Sequence, residues 1–188
     1  MLSLRNLTMK LTLLVVNGTE VDNVLRSFMC PSLTQFTVLI RDGWTCETFH
    51  ILKRQYNMQE LREAKFLGAF ALPVSFFLRD APMLHSLSLG ESAITDDEAL
   101  IGISTGTLGR FLRGLEINIP YDIGEVLDMV EARKRTVDGL IENGCSWREE
   151  ITSLKDVVIH SKHRNAYGEY KERITALGEA GIHITVSF

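Results

Sequence analysis

The chain reads as an α/β protein, a horseshoe-like solenoid in which short parallel strands alternate with helices. Three observations predict it. One apolar spacing recurs at nearly constant intervals, a helical apolar stripe follows most recurrences, and the composition is that of an ordinary globular domain. Of the 188 residues, 45% are apolar, 8% aromatic and 23% charged, values that fit neither a disordered chain nor a membrane protein. Lys and Arg number 20 against 24 Asp and Glu, a net charge of −4. A general nucleic-acid binder carries a basic excess, so nucleic acid is not an expected partner. No uninterrupted apolar run approaches the ~20 residues of a bilayer span, and no membrane association is expected.

The recurring spacing is apolar, two residues, apolar, one residue, apolar. It occurs as Leu4-x-x-Leu7-x-Met9, Leu33-x-x-Phe36-x-Val38, Leu84-x-x-Leu87-x-Leu89, Leu112-x-x-Leu115-x-Ile117 and Leu154-x-x-Val157-x-Ile159. A degraded copy, Met58-x-x-Leu61, has Glu63 in its third apolar slot. The starts at 4, 33, 58, 84 and 112 are 29, 25, 26 and 28 residues apart, close to the ~20–29 residues of a leucine-rich repeat. The step from 112 to 154 is 42, which predicts an insertion around 136–152. Residues 1–188 thus form a single leucine-rich-repeat domain of about six units. Neither the strand nor the helix of one unit can bury its apolar side alone, so neighbouring units stack into a continuous core.

Each period also carries a helix signal. Thr19 is placed to cap a helix with Val21, Val24, Leu25 and Phe28 on one face, and Thr45 precedes a second with Phe49 and Leu52. Ala71–Phe77 is a buried short helix with Pro73 near its start. Thr95-x-x-Glu98 is a capping-box pattern ahead of Ala99, Leu100 and Ile103. Asp122 opens the clearest stripe, Ile123, Val126, Leu127 and Val130. Tyr167, Tyr170, Ile174 and Leu177 form the last, closed by Gly178 and Gly181 before a final strand, Ile182-x-Ile184-x-Val186.

No catalytic signature emerges. Cys30, Cys46 and Cys145 are widely spaced without a Cys-x-x-Cys pair, which favours a reducing, intracellular compartment, cytoplasm or nucleus. The apolar start, interrupted by Arg5 and Lys10, reads as a strand and not as a signal peptide. His160 and His163 lie beside Lys162 and Arg164, cations that disfavour a metal. Asp96, Asp97 and Glu98 suit the positive end of a helix dipole, and Arg133, Lys134 and Arg135 the negative end. Gly102, Gly106 and Gly109 lack the Gly-Lys-Ser/Thr ending of a phosphate loop and read as turn residues. The expectation is no enzyme, no metal and no cofactor.

Partner binding is placed by alternation along the strands. With the apolar ladder inward, the interleaved side chains face the concave side. They are Gln35 and Thr37, Glu60 and Arg62, Ser86 and Ser88, Glu116 and Asn118, then Asp156, Val158 and His160, with Asn6 and Thr8 in the first unit. Arg62 is the one hot-spot residue type in the row.

Two stretches resemble a known family. Residues 121–136, YDIGEVLDMVEARKRT, and the closing LKDVVIHSKH and ITALGEAGIHITVSF are similar to the repeat region of fungal, mushroom-type F-box proteins. The resemblance implies a module that presents a protein substrate to a cullin-type ubiquitin ligase. In such proteins an F-box precedes the repeats and binds a Skp-type adaptor. Here the first repeat is expected to start at Leu4, so the F-box module is not expected in this chain and adaptor binding is carried to no residue. The alternatives are a ligase-independent scaffold and a truncated, nonfunctional relative.

Overall fold

The computed structural model describes residues 9–15, 23, 26–27, 33–44, 46–70, 73–90, 96–119, 122–142, 151–161 and 167–188. Seven strands form one parallel sheet in strict chain order: β1 (Met9–Val15), β2 (Leu33–Trp44), β3 (Glu63–Phe70), β4 (Ser86–Leu89), β5 (Gly114–Ile119), β6 (Asp156–Ser161) and β7 (His183–Ser187). Among the described residues five helices with defined ends lie between them: α1 (Cys46–Gln55), α2 (Val74–Asp80), α3 (Asp97–Thr105), α4 (Ile123–Glu142) and α5 (Tyr167–Glu179). Crossovers between parallel strands are right-handed, so a sheet that always advances in one direction gathers its helices on one face. The predicted α/β alternation is therefore present. No described helix is long and apolar enough to cross a membrane.

The apolar spacing becomes stacked rows. Leu61, Leu84, Leu112 and Leu154 form one row; Phe36, Ala64, Leu87, Leu115 and Val157 a second; Phe66, Leu89, Ile117 and Ile159 a third. Each is at most 3% exposed. Full burial of such side chains stabilises the fold by about 1.5–3 kcal/mol each. Phe66 also packs edge-on against Phe77 of α2, with ring centroids 4.9 Å apart, and meets Phe36 at 5.9 Å.

The register corrects two expectations. The third unit starts at Leu61 and not at Met58, because Gln35 pairs with Glu63 and Phe36 with Ala64. Met58 is buried in a 3-10 turn (Met58–Glu60) that Asn57 caps by accepting a hydrogen bond from Gln59 N. The true unit, Leu61-x-x-Ala64-x-Phe66, was hidden by a small residue in its middle slot. In the first unit Met9 pairs with Leu33, so Met9 stands level with the start of the second unit; Leu4 and Leu7 lie outside the described residues. The last unit is one residue shorter, with Ile182 buried ahead of Ile184 and Val186. The long α4 takes up the start of the 136–152 stretch.

Helix ends follow the sequence in most places. Pro73 is the N-cap of α2. Asp96, not Thr95, caps α3: Oδ1 accepts from Ala99 N at 3.0 Å, while Oδ2 accepts from Ser75 N at 3.1 Å at the start of α2. Thr95 itself, Thr19, Val21, Val24, Leu25 and Phe28 of the first expected helix, Cys30, Cys145 and His163 lie outside the described residues. Arg133 departs from its reading as a cation at the negative end of a helix, since α4 continues to Glu142. It is 0% exposed and donates to four carbonyls: Thr152 at 2.9 Å, Ile103 at 2.9 Å, Gly109 at 3.1 Å and Arg110 at 2.7 Å. The planar guanidinium fork makes such a multiple clamp possible. Burial lowers its pKa to about 10, so it stays charged at neutral pH. Gly106 sits in this clamp with φ +78°, where a side chain would be strained and would also press on Ile151 and Arg133.

Candidate functional site: the open face of the sheet

The face of the sheet opposite the buried rows carries polar side chains. All-parallel sheets are usually covered on both faces, so an exposed polar face is the most distinctive surface of the fold. Register fixes its rows. Gln35, Glu63, Ser86, Gly114, Asp156 and His183 stand side by side, and next along the strands come Thr37, Lys65, Ser88, Glu116, Val158 and Thr185. A third row runs Asn118, His160 and Ser187.

Nine of the eleven sequence-predicted positions within the described residues fall in these rows: Gln35, Thr37, Ser86, Ser88, Glu116, Asn118, Asp156, Val158 and His160. Glu60 and Arg62 do not. Glu60 belongs to the 3-10 turn, where it accepts from Asn57 Nδ2 at 3.3 Å, and Arg62 precedes β3. Their places are held by Glu63 and Lys65, a direct consequence of the three-residue shift in the third unit. Asn6 and Thr8 lie outside the described residues.

The rows are joined by a chain of hydrogen bonds across four strands. Ser88 Oγ donates to Glu116 Oε2 at 2.6 Å, and His160 Nε2 lies 3.0 Å from Glu116 Oε1. A carboxylate only accepts, so Nε2 carries a proton, and Nδ1 makes the second hydrogen bond, with the Ser187 hydroxyl. Asn118 Nδ2 donates to Leu89 O at 3.0 Å, turning the β5 side chain toward β4. Burial pushes the Glu116 carboxyl up, but the hydrogen bonds from Ser88 and His160, with Lys65 nearby, outweigh it and hold the pKa below its ordinary value.

The order hydroxyl, imidazole, carboxylate is that of a nucleophile relay. Here Ser88 occupies the second carboxylate oxygen. The two described cavities of about 380 Å³ lie elsewhere, one beside Arg113 and Lys155 and the other between α3 and α4. The arrangement fixes the side chains of Ser88, Glu116, His160 and Ser187 in one geometry, which reduces the ordering cost of binding something against them. Ser187 is not among the sequence-predicted positions, although it continues the alternation of Ile182-x-Ile184-x-Val186 and pairs with His160.

No protein-family model, no curated protein and no solved structure matches this chain.

Proposed function

We propose that the chain is a leucine-rich-repeat solenoid that serves as a protein-interaction module, with the open face of the sheet as its binding surface. One observation carries the reading: the open face holds an in-register polar array braced by the Ser88–Glu116–His160–Ser187 chain. The repeated Leu-x-x-Leu-x-Leu spacing and the strictly sequential parallel sheet support the solenoid. The resemblance to fungal F-box proteins supplies the use, presentation of a bound protein substrate for ubiquitination inside the cell. Any Skp-type adaptor contact would belong to an F-box and not to residues of this chain. Catalysis, metal and cofactor have no part in this reading.

The test is affinity capture from a fungal lysate with the chain and two charge-neutral double variants. Lys65→Glu with Asp156→Arg changes the open face, and Glu125→Arg with Lys171→Glu changes the helical side; all four residues are exposed. Loss of captured proteins with the first variant alone supports the reading, and equal loss or retention with both contradicts it. Joining the chain to an F-box module should then lower the cellular level of the captured protein. An unchanged level would remove the ligase role and favour a scaffold.

A further inference from the structure

A second row of side chains, one position ahead of the open-face rows, is basic. The residue after the first apolar position of each unit is Arg62, His85, Arg113 and Lys155 in four successive units. Backbone hydrogen bonds align them: His85 N donates to Arg62 O at 2.7 Å, Arg113 N to His85 O at 2.8 Å and Lys155 N to Arg113 O at 2.7 Å. Arg62, Arg113 and Lys155 are exposed and His85 half-buried. Arg62 Nη1 lies 3.4 Å from His85 Nε2. Phe111 stands edge-on to the His85 ring at 6.4 Å.

Among the described residues, none of Arg62, Arg113 and Lys155 forms an ion pair; on the helical side Lys53, Arg79, Lys134 and Arg173 do and Arg135 and Lys171 do not. Glu63 and Asp156, the nearest carboxylates in sequence, sit one position on, in the open-face rows. Four basic side chains aligned in successive units of a chain of net charge −4 are a local feature. Strands lie ~4.8 Å apart, so four positions span roughly 14 Å, the reach of about four or five residues of extended chain. At the β6 end of the line a cavity of about 380 Å³ opens beside Arg113 and Lys155, with Val137, Leu140, Ile141 and Ile151 in its wall.

From this juxtaposition we infer that the leading edge of the sheet docks an extended acidic segment of a partner protein, with one large apolar side chain of that segment seated in the cavity beside Arg113 and Lys155. The inference rests on the proposed interaction role and specifies the chemistry of the partner. Charge complementarity fixes the acidic character, and the apolar wall next to two cations fixes the mixed acidic and apolar pattern. Such pairing raises the association rate and is weakened by salt.

The probe is a fluorescent hexapeptide, Glu-Glu-Leu-Glu-Glu-Glu, titrated into the full chain by anisotropy at two salt concentrations. Saturable, salt-sensitive binding is expected. Arg113→Glu with Lys155→Glu should weaken it by about tenfold or more, while Arg135→Glu with Lys171→Glu, an equal change in net charge on the helical side, should leave it within about twofold. Replacing the peptide leucine by serine should cost several-fold. A readout that needs no variant is the imidazole titration of His85 by NMR. Burial and the neighbouring Arg62 and Arg113, opposed by Glu63, hold its pKa down, and an arriving acidic segment should raise it. No binding, equal loss in both double variants, or equal competition by a single-stranded oligothymidine would each overturn the acidic-peptide assignment. If the peptide fails while lysate capture still maps to the open face, this inference falls alone. If capture does not map to the open face, the interaction reading itself falls.

Discussion

Glu116 on β5 and His160 on β6 stand side by side across the strand pair, with Oε1 3.0 Å from Nε2, although 44 residues separate them in the chain. The carboxylate binds the imidazole on one oxygen and the Ser88 hydroxyl on the other. Its pKa is lowered in the fold, so the stability that it contributes is present above the pKa of an unfolded glutamate. That stability is lost as pH falls through the folded value. Glu116→Gln should lower stability by about 1 kcal/mol near neutral pH, since the pair is partly exposed. The difference from the parent chain should shrink as pH falls from about 6 to about 3. Urea unfolding across that range checks both the size and the trend.

Ser187 shares a hydrogen bond with His160 Nδ1, and on the proposed binding-surface reading it only fixes the imidazole. A fluorophosphonate probe should leave Ser187 unmodified, and intact-mass spectrometry of the treated chain reads this directly. Stoichiometric labelling that Glu116→Gln or His160→Gln abolishes would make the same three residues a nucleophile relay, and the binding-surface reading would lose its main support.

Arg133 fastens α4 to the turn after α3 and to the stretch before β6. Arg133→Ala strands carbonyls of Ile103, Gly109, Arg110 and Thr152 in a buried site, and a loss of about 3–5 kcal/mol is expected. Arg133→Lys keeps the charge but not the fork, so a substantial part of that loss should remain. Denaturant midpoints of both variants, together with the slope of the transition, test the clamp.

Asp96 holds the first turns of two helices at once, α3 through Ala99 N and α2 through Ser75 N. Asp96→Ala should cost about 1–2 kcal/mol, and Asp96→Asn less, because the amide oxygen still accepts. Thermal unfolding followed by circular dichroism gives the comparison.

Much of the fold was legible because burial repeats with the chain. Leu33, Leu84, Leu112 and Leu154 announce their units by size and spacing. Leu61 did not, since Ala64 supplies too small a signal in the middle slot and Met58 mimics a start three residues early. That single shift moved two site residues, replacing Glu63 and Lys65 by Glu60 and Arg62. It also concealed the basic row, which becomes visible only when Arg62 is aligned with His85, Arg113 and Lys155. Arg133 was unreadable for a different reason: nothing local distinguishes a cation at a helix surface from one whose carbonyl partners lie 19–30 residues away. The Glu116–His160–Ser187 chain likewise needs cross-strand register, which spacing fixes only where every unit has the same length.

The most direct test of the central claim places a photo-crosslinking amino acid at Asp156, on the open face, and in a separate sample at Ile101, which is 63% exposed on α3. Irradiation in lysate should join a protein partner to the Asp156 sample and not to the Ile101 sample. Excess unlabelled chain should compete the product away. Crosslinking from Ile101 alone, or equally from both positions, would contradict the assignment of the open sheet face as the binding surface.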